Sequence, residues 1–357
     1  MKLALKIDVD TFRGTRDGVP RLVELLRRED AGATFLFSLG PDHTGRAIRR
    51  MFRPGFMRKM SRISVIEHYG VRTLLYGTLL PGPDIGMRCR DQLRAVRDAG
   101  FECGIHAWDH VRWQDQLALA DASWTQREMQ RAYDRFDEIF GMRARAHGAA
   151  GWQMNLHALR STQRLSFGYS SDTRGSHPFL PTCNAELIAC PQIPTTLPTL
   201  DELIGRDGIT VDTVADHLLA ITGNEPPPSG HVYTLHAELE GQKLLPVFER
   251  LLAGWKAQGY ELLSLRDYCD GLELERLPHH EIVFGEVPGR SGRLALQGPE
   301  FLAPGEAPPD YRWTRDRSVI TQHALPQIPG AAAARTAEPA TAPATAPATA
   351  PSAAPAN

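Results

Sequence analysis

The chain has no run of about 18 consecutive apolar residues, so no segment of its 357 residues is expected to span a bilayer as a helix. Cysteine is scarce and odd in number: Cys89, Cys103, Cys183, Cys190 and Cys269 show no C-x-x-C spacing. That argues against a disulfide framework or a structural zinc site and fits reduced thiols in a cytosolic protein. Charge of one sign is also lacking. A formal net charge of −2 excludes a molecule that binds nucleic acid through overall electrostatics. The sequence contains no G-x-S-x-G elbow, no G-x-x-x-x-G-K-[ST] phosphate loop, no G-x-G-x-x-G and no H-E-x-x-H. The common serine-hydrolase, nucleotide-binding and zinc-protease readings go with them. In "MKLALKIDVD", Lys6, Asp8 and Asp10 interrupt any secretory h-region, so export by that route is not expected.

What is present is an alternation of short apolar runs with amphipathic ones. "LALKIDV", "ATFLFSLG", "FECGIH", "FGYSSD", "HVYTLHA" and "YELLSL" read as strands. Between them, "DGVPRLVELLRRED" reads as a helix with Pro20 in its first turn, and "CRDQLRAVRDAG" as one stopped by Gly100. "TQREMQRAYDRFDEIFG" reads as a helix opened by a Thr125–Glu128 capping box and ended by Gly141. Strand followed by helix, about six or seven times over, predicts a parallel sheet with helices outside it. The pattern fits an open sheet or a barrel, and we expect the barrel.

Residues 43–83 are too long for an ordinary connection and predict an insertion. Within them "RAIRRMFRPGFMRKMSR" holds seven Arg or Lys and no acid, interleaved with Ile48, Met51, Phe52, Phe56, Met57 and Met60. This is a solvated basic helix or a membrane-surface segment, in which Arg49, Arg50, Arg53, Arg58 and Lys59 meet anionic headgroups or a lipid phosphate. Residues 276–330, rich in Pro and Gly, predict an irregular extension, and the Ala/Pro/Thr segment 331–357 a disordered tail.

Polar residues collect where strands end. Along the first strand, Leu3, Leu5, Ile7 and Val9 share one face, and Ala4, Lys6, Asp8 and Asp10 the other. Asp8 and Asp10 therefore point the same way, either to share a cation or to cap the following turn. Lys6 in that row calls for a pairing with one of the acids. His106 and His110, four apart, could reach one ion from a single helical turn. One carboxylate with two imidazoles leaves positions open for water and substrate. Asp172 and His236 end further strands, and Glu238 and Glu240 are rival ligands or the start of a loop. In an α/β barrel that rim carries the active site.

These motifs resemble the polysaccharide deacetylase (NodB-homology) family: Asp8-Val9-Asp10, His106 to His110, and Leu235-His236. The resemblance covers residues 1 to about 275 and implies a distorted (β/α) barrel and a metal-dependent amide hydrolase. It implies one divalent ion (zinc, manganese or cobalt) on Asp10, His106 and His110, with Asp8 as base and His236 as acid. Asp172 would orient His236. The arginine that usually holds the base is missing from "HGAAGWQM", and Arg174 is the expected substitute.

Longer stretches, "KIDVDTFRGTRDGVPRL", "HAWDH", "YSSDTRG", "PQIPTTLPTLDELIG" and "YTLHAELEG", resemble a branch of that family that removes formate from an amino sugar linked to undecaprenyl phosphate, a step in lipid A modification and polymyxin resistance. That branch implies a cytoplasmic protein peripheral to the inner membrane, with Trp108 or Trp152 shaping a formyl-sized pocket. A deacetylase of another carbohydrate, or a silent barrel that binds a carbohydrate or lipid carrier, are the alternatives.

Overall fold

The computed structural model describes residues 1–51 and 72–301, with the side chains of 48–51 left aside. Its main sheet has seven strands, all parallel: β1 (Lys2–Val9), β2 (Thr34–Ser38), β3 (Glu102–Ala107), β4 (Ala146–His147), β5 (Tyr169–Ser170), β8 (His231–His236) and β9 (Glu261–Leu263). The hydrogen-bonded order is β5-β4-β3-β2-β1-β8. A strand has two edges, and β1 uses one along β8. On the other, β9 takes Lys2 to Ala4 and β2 takes Lys6 to Val9.

The sheet proper stops at β5 and β8, and the segment 191–197 spans the gap. Ile193 N–H donates to the Ser170 carbonyl on one side, and Thr196 N–H to the Val232 carbonyl on the other. The result is a distorted α/β barrel, closed at this seam by irregular chain.

Both faces of β1 are buried, which is what a parallel strand covered by helices requires. Leu3, Leu5, Ile7 and Val9 join Leu22, Leu25, Leu26, Phe35 and Phe37 in the layer between sheet and helices. Each fully buried side chain of this size contributes about 1.5–3 kcal/mol. Ala4 packs instead with Leu36, Ala146, Tyr169 and Val232, inside the barrel. The row Ala4–Lys6–Asp8–Asp10 therefore climbs the interior and emerges at the end where the parallel strands finish.

Two helix starts repay attention. The helix Val19–Arg28 carries Pro in its first turn, as expected. The long helix Ala122–Phe140 ends at Gly141 in the left-handed region (φ 64°), also as expected, but begins a turn earlier than Thr125. Its cap is Asp121, whose carboxylate accepts from Trp124 N–H. Thr125 and Glu128 lie buried inside the helix, so no capping box operates there. A true one appears at Thr199 and Glu202, opening the short helix Leu200–Leu203.

Residues expected to form an irregular extension contain regular structure. The strands β10 (His279–Gly285) and β11 (Leu294–Glu300) pair antiparallel and join β6 (Leu180–Cys183) and β7 (Glu186–Leu187) in a second sheet of order β11-β10-β6-β7. Gly289 and Gly292 take positive φ in the connecting turn, and Gly298 and Pro299 fall where the register of the pair shifts. Residues 302–357, including the Ala/Pro/Thr tail, lie outside the described residues.

Gly18 caps the start of the helix Val19–Arg28 and presses on the loop after β8: an added Cβ would lie 2.1 Å from the Ala237 carbonyl oxygen. Because that obstacle is backbone, Gly18→Ala is expected to lower stability by about 1–3 kcal/mol in urea unfolding. An unchanged midpoint would mean that the helix start and the loop are not tightly apposed.

Candidate metal centre and its surroundings

Asp10, just past β1, is the centre of the polar cluster. One of its oxygens lies 3.2 Å from His106 Nε2 and the other 3.3 Å from His110 Nε2. Ligand atoms of the three residues all fall within 4.8 Å of one another. Asp10 Oδ1 is buried with no hydrogen-bond partner, which is the condition of a donor atom reserved for a cation.

The tautomer of His106 supports the same reading. Its Nδ1 lies 2.7 Å from the Gly148 carbonyl oxygen, an atom that can only accept. Nδ1 therefore carries a proton, which leaves Nε2, on the side of Asp10, as the nitrogen that could face a cation. Burial alone would raise the Asp10 carboxyl pKa, but His110 and His106 outweigh it and hold the group far below the ordinary carboxylate range.

The two histidines do not share a helical turn. His106 belongs to β3, and His110 is the first residue of the helix His110–Gln116. They meet, with rings 5.4 Å apart, because the strand turns directly into the helix. Asp109 sets that turn: one oxygen caps Arg112 N–H at 3.0 Å and the other meets His43 Nδ1 at 2.6 Å.

Asp8 lies beside this trio, 2% exposed, with Oδ1 3.7 Å from His106 Nδ1 and without a hydrogen bond. Its counter-ion is Lys6, not Arg174. Lys6 Nζ is fully buried, 3.5 Å from Asp8 Oδ2, and donates to the Ser171 carbonyl at 2.9 Å. Burial lowers the Lys6 pKa, with Asp8 and Asp172 pulling it back up. Arg174 turns away to Glu202 (2.5 Å) and the Leu197 carbonyl (2.9 Å), over the ring of Trp152.

Asp172 is also engaged elsewhere. Wholly buried, it accepts from His147 Nδ1 at 2.7 Å, Ala149 N–H at 2.8 Å and Gln192 Nε2 at 3.1 Å. It thereby fixes the loop that carries Gly148, the partner of His106, and does not hydrogen-bond His236. His236 stands in register with Asp8 across β8 and β1. The carboxylate near it is Asp201, 3.9 Å from Nδ1.

Glu238 and Glu240 clamp backbone instead of competing for an ion. Glu238 accepts from Asp10 N–H at 3.0 Å and Thr11 N–H at 2.8 Å, and Glu240 from His236 N–H at 3.0 Å. Trp108 is half-buried between the guanidinium groups of Arg131 and Arg135. Trp152 is buried in the midst of Lys6, Arg174 and Arg290. Of the basic insertion, Arg49 and Arg50 fall in the helix Thr44–Met51, while Arg53, Arg58 and Lys59 lie outside the described residues.

His147, Asp201 and Arg290 carry no signal in local spacing. Only the Thr199–Glu202 cap pattern around Asp201 was open to a reading from sequence.

A Shewanella sediminis protein named "probable 4-deoxy-4-formamido-L-arabinose-phosphoundecaprenol deformylase ArnD" is 38% identical over 296 residues, covering 83% of this chain and 94% of its own. The chain belongs to that deformylase family. A Wigglesworthia glossinidia brevipalpis protein of the same name is 33% identical over 80% of this chain and 98% of its own. No protein-family model matches the chain. A crystal structure of a Mycobacterium smegmatis protein described as a polysaccharide deacetylase superposes with a TM-score of 0.54 at 15% identity, covering 80% of this chain and 95% of that one. That likeness shows a shared fold, the distorted barrel of the NodB-homology deacetylases.

Lys6→Met removes the compensating charge and leaves the buried Asp8 carboxyl without its partner. It is expected to destabilise the protein by about 3–5 kcal/mol, read from chemical unfolding. A loss below about 1 kcal/mol would mean that Lys6 does not hold Asp8.

Proposed function

We propose that this chain hydrolyses the formamide of 4-deoxy-4-formamido-L-arabinose-phosphoundecaprenol, releasing formate and the 4-amino-4-deoxy-L-arabinose lipid. The observation that carries the reading is the convergence of Asp10, His106 and His110 beside Asp8 and His236 at one barrel rim, in a chain of the deformylase family.

Asp10, His106 and His110 would hold one divalent ion: zinc, manganese or cobalt. Their donor set, one carboxylate and two imidazoles with an unpaired buried oxygen, fits such an ion. When bound, it supplies Lewis-acid polarisation of the amide carbonyl and of a water molecule. Asp8, with an oxygen that no hydrogen bond occupies, takes the proton from the attacking water. Lys6, 3.5 Å away, keeps that carboxylate in place. His236 gives a proton to the departing sugar nitrogen, because an amide anion is too poor a leaving group.

The polyprenyl tail of this substrate stays in the bilayer, so the barrel mouth works at the membrane surface. No helix among the described residues is long and apolar enough to cross a membrane. The basic, Met- and Phe-bearing stretch 46–62 supports peripheral contact on the cytoplasmic face.

Metal-loaded protein given the formamido lipid is expected to release formate, and a chelator to stop it until metal is restored. Asp10→Ala should lose bound metal and turnover together. Asp8→Asn should keep the metal and lose about 10²–10⁴-fold in kcat, the usual share of a general base. Absence of formate with metal bound, or near-normal turnover of Asp8→Asn, would contradict the reading.

Vesicles containing anionic lipid should carry the protein upward in a flotation gradient, and high salt should release it. Recovery only in the soluble fraction at low salt would argue against peripheral contact.

A further inference from the structure

His236 Nδ1 is buried and has no hydrogen-bond partner. Asp201 Oδ1, at 3.9 Å, faces it. Asp201 is in turn gripped by Arg290, which belongs to the loop joining β10 to β11, far along the chain from every motif in the barrel.

The grip is multiple. Arg290 Nη1 lies 3.1 Å from Asp201 Oδ2, and Nη2 donates to Asp201 Oδ1 at 3.1 Å and to Thr199 Oγ1 at 2.9 Å. Nε donates to Glu202 Oε1 at 2.8 Å, and the guanidinium plane rests over Trp152, 4.8 Å from the ring centre. The planar fork suits this two-pronged task in a way a lysine does not. Thr199 Oγ1 donates to Asp201 Oδ1 at 2.6 Å, so the oxygen that faces His236 is fixed from two sides.

The loop itself is pressed into place. Gly289 adopts φ 92°, and a Cβ there would lie 2.7 Å from the Glu202 carbonyl oxygen. The hairpin is anchored at its other end by Arg174 N–H to the Ala295 carbonyl (3.0 Å) and Gln297 N–H to the Arg174 carbonyl (2.8 Å).

We propose that Arg290 is a positioning residue for His236, acting through Asp201, so that the C-terminal hairpin forms part of the catalytic apparatus. The proposal rests on His236 being the acid in the deformylation proposed above. In this proposal Arg290 acts through Asp201 and not directly on substrate or ion. It sets the carboxylate that faces the imidazole at 3.9 Å, an ion-pair distance, and so favours the ring angle from which the other nitrogen would reach the leaving amine. Asp172, engaged by His147, is not available for that task.

The test uses full-length, metal-loaded enzyme and the formamido lipid, with initial rates of formate release across substrate concentration. Arg290→Gln is expected to lower kcat about tenfold or more, part of the roughly 10²–10⁴-fold that a general acid contributes, with KM changed less than about twofold. Arg290→Lys should recover only part of the loss. The decisive arm repeats Arg290→Gln in a His236→Gln background, where removing the guanidinium should cost less than about twofold, since a residue that acts through His236 has nothing left to act on. Asp201→Asn, nearly isosteric, is carried through the same two backgrounds and covers the case in which Arg290→Gln does not fold.

Equal losses in both backgrounds, or an unchanged kcat in the folded single variants, would overturn the proposal and leave Arg290 a structural residue. If His236→Gln alone kept full turnover, the acid assignment itself would fail, and that result is distinguishable from the other two.

Discussion

A charged row inside a barrel is stable only where each charge meets a partner before it meets solvent. Lys6 against Asp8 is that meeting. Both lie in the interior row of β1, both are almost wholly buried, and their nitrogen and oxygen stand 3.5 Å apart. Removing ions of this kind from water costs several kcal/mol each, and the cost is recovered only by attraction to a close counter-charge and by hydrogen bonds. Lys6 makes one such bond, to Ser171. Asp8 keeps one oxygen unbonded, which is the oxygen the proposed chemistry needs.

Around that pair the barrel spends its other acids on geometry. Glu238 and Glu240 hold the backbone of Asp10 and of His236, and Asp109 caps the helix that presents His110. Asp172 pins the loop whose carbonyl at Gly148 dictates the His106 tautomer. Four carboxylates thus fix the positions of the few side chains that would meet metal or substrate.

The alternation of β1 made Asp8 and Asp10 legible, because a period of two allows only one assignment of faces when both faces are buried. The strand–helix rhythm likewise pointed to a parallel sheet, open or closed, and the family likeness to the distorted barrel and the metal trio. What stayed hidden depends on contacts distant along the chain. Asp172 and Arg174 are two residues apart, yet one meets His147 and the other Glu202, partners 25 and 28 positions away. Spacing rules report a shared side, not the identity of the partner. Lys6 could be seen to want an acid, but nothing local said that it would displace Arg174. The hairpin of β10 and β11 was obscured by its glycines and prolines, which read as irregular chain when the sheet that uses them is out of view.

The central claim is that Asp10, His106 and His110 gather a single divalent cation. X-ray absorption at the metal edge of the cobalt- or zinc-loaded protein tests it most directly. The account predicts two imidazole nitrogens at about 2.0–2.1 Å and a carboxylate oxygen at about 2.0–2.2 Å, with all three signatures weakened together when Asp10 is replaced. A bound ion without imidazole scattering, or one whose coordination is indifferent to Asp10, would contradict it.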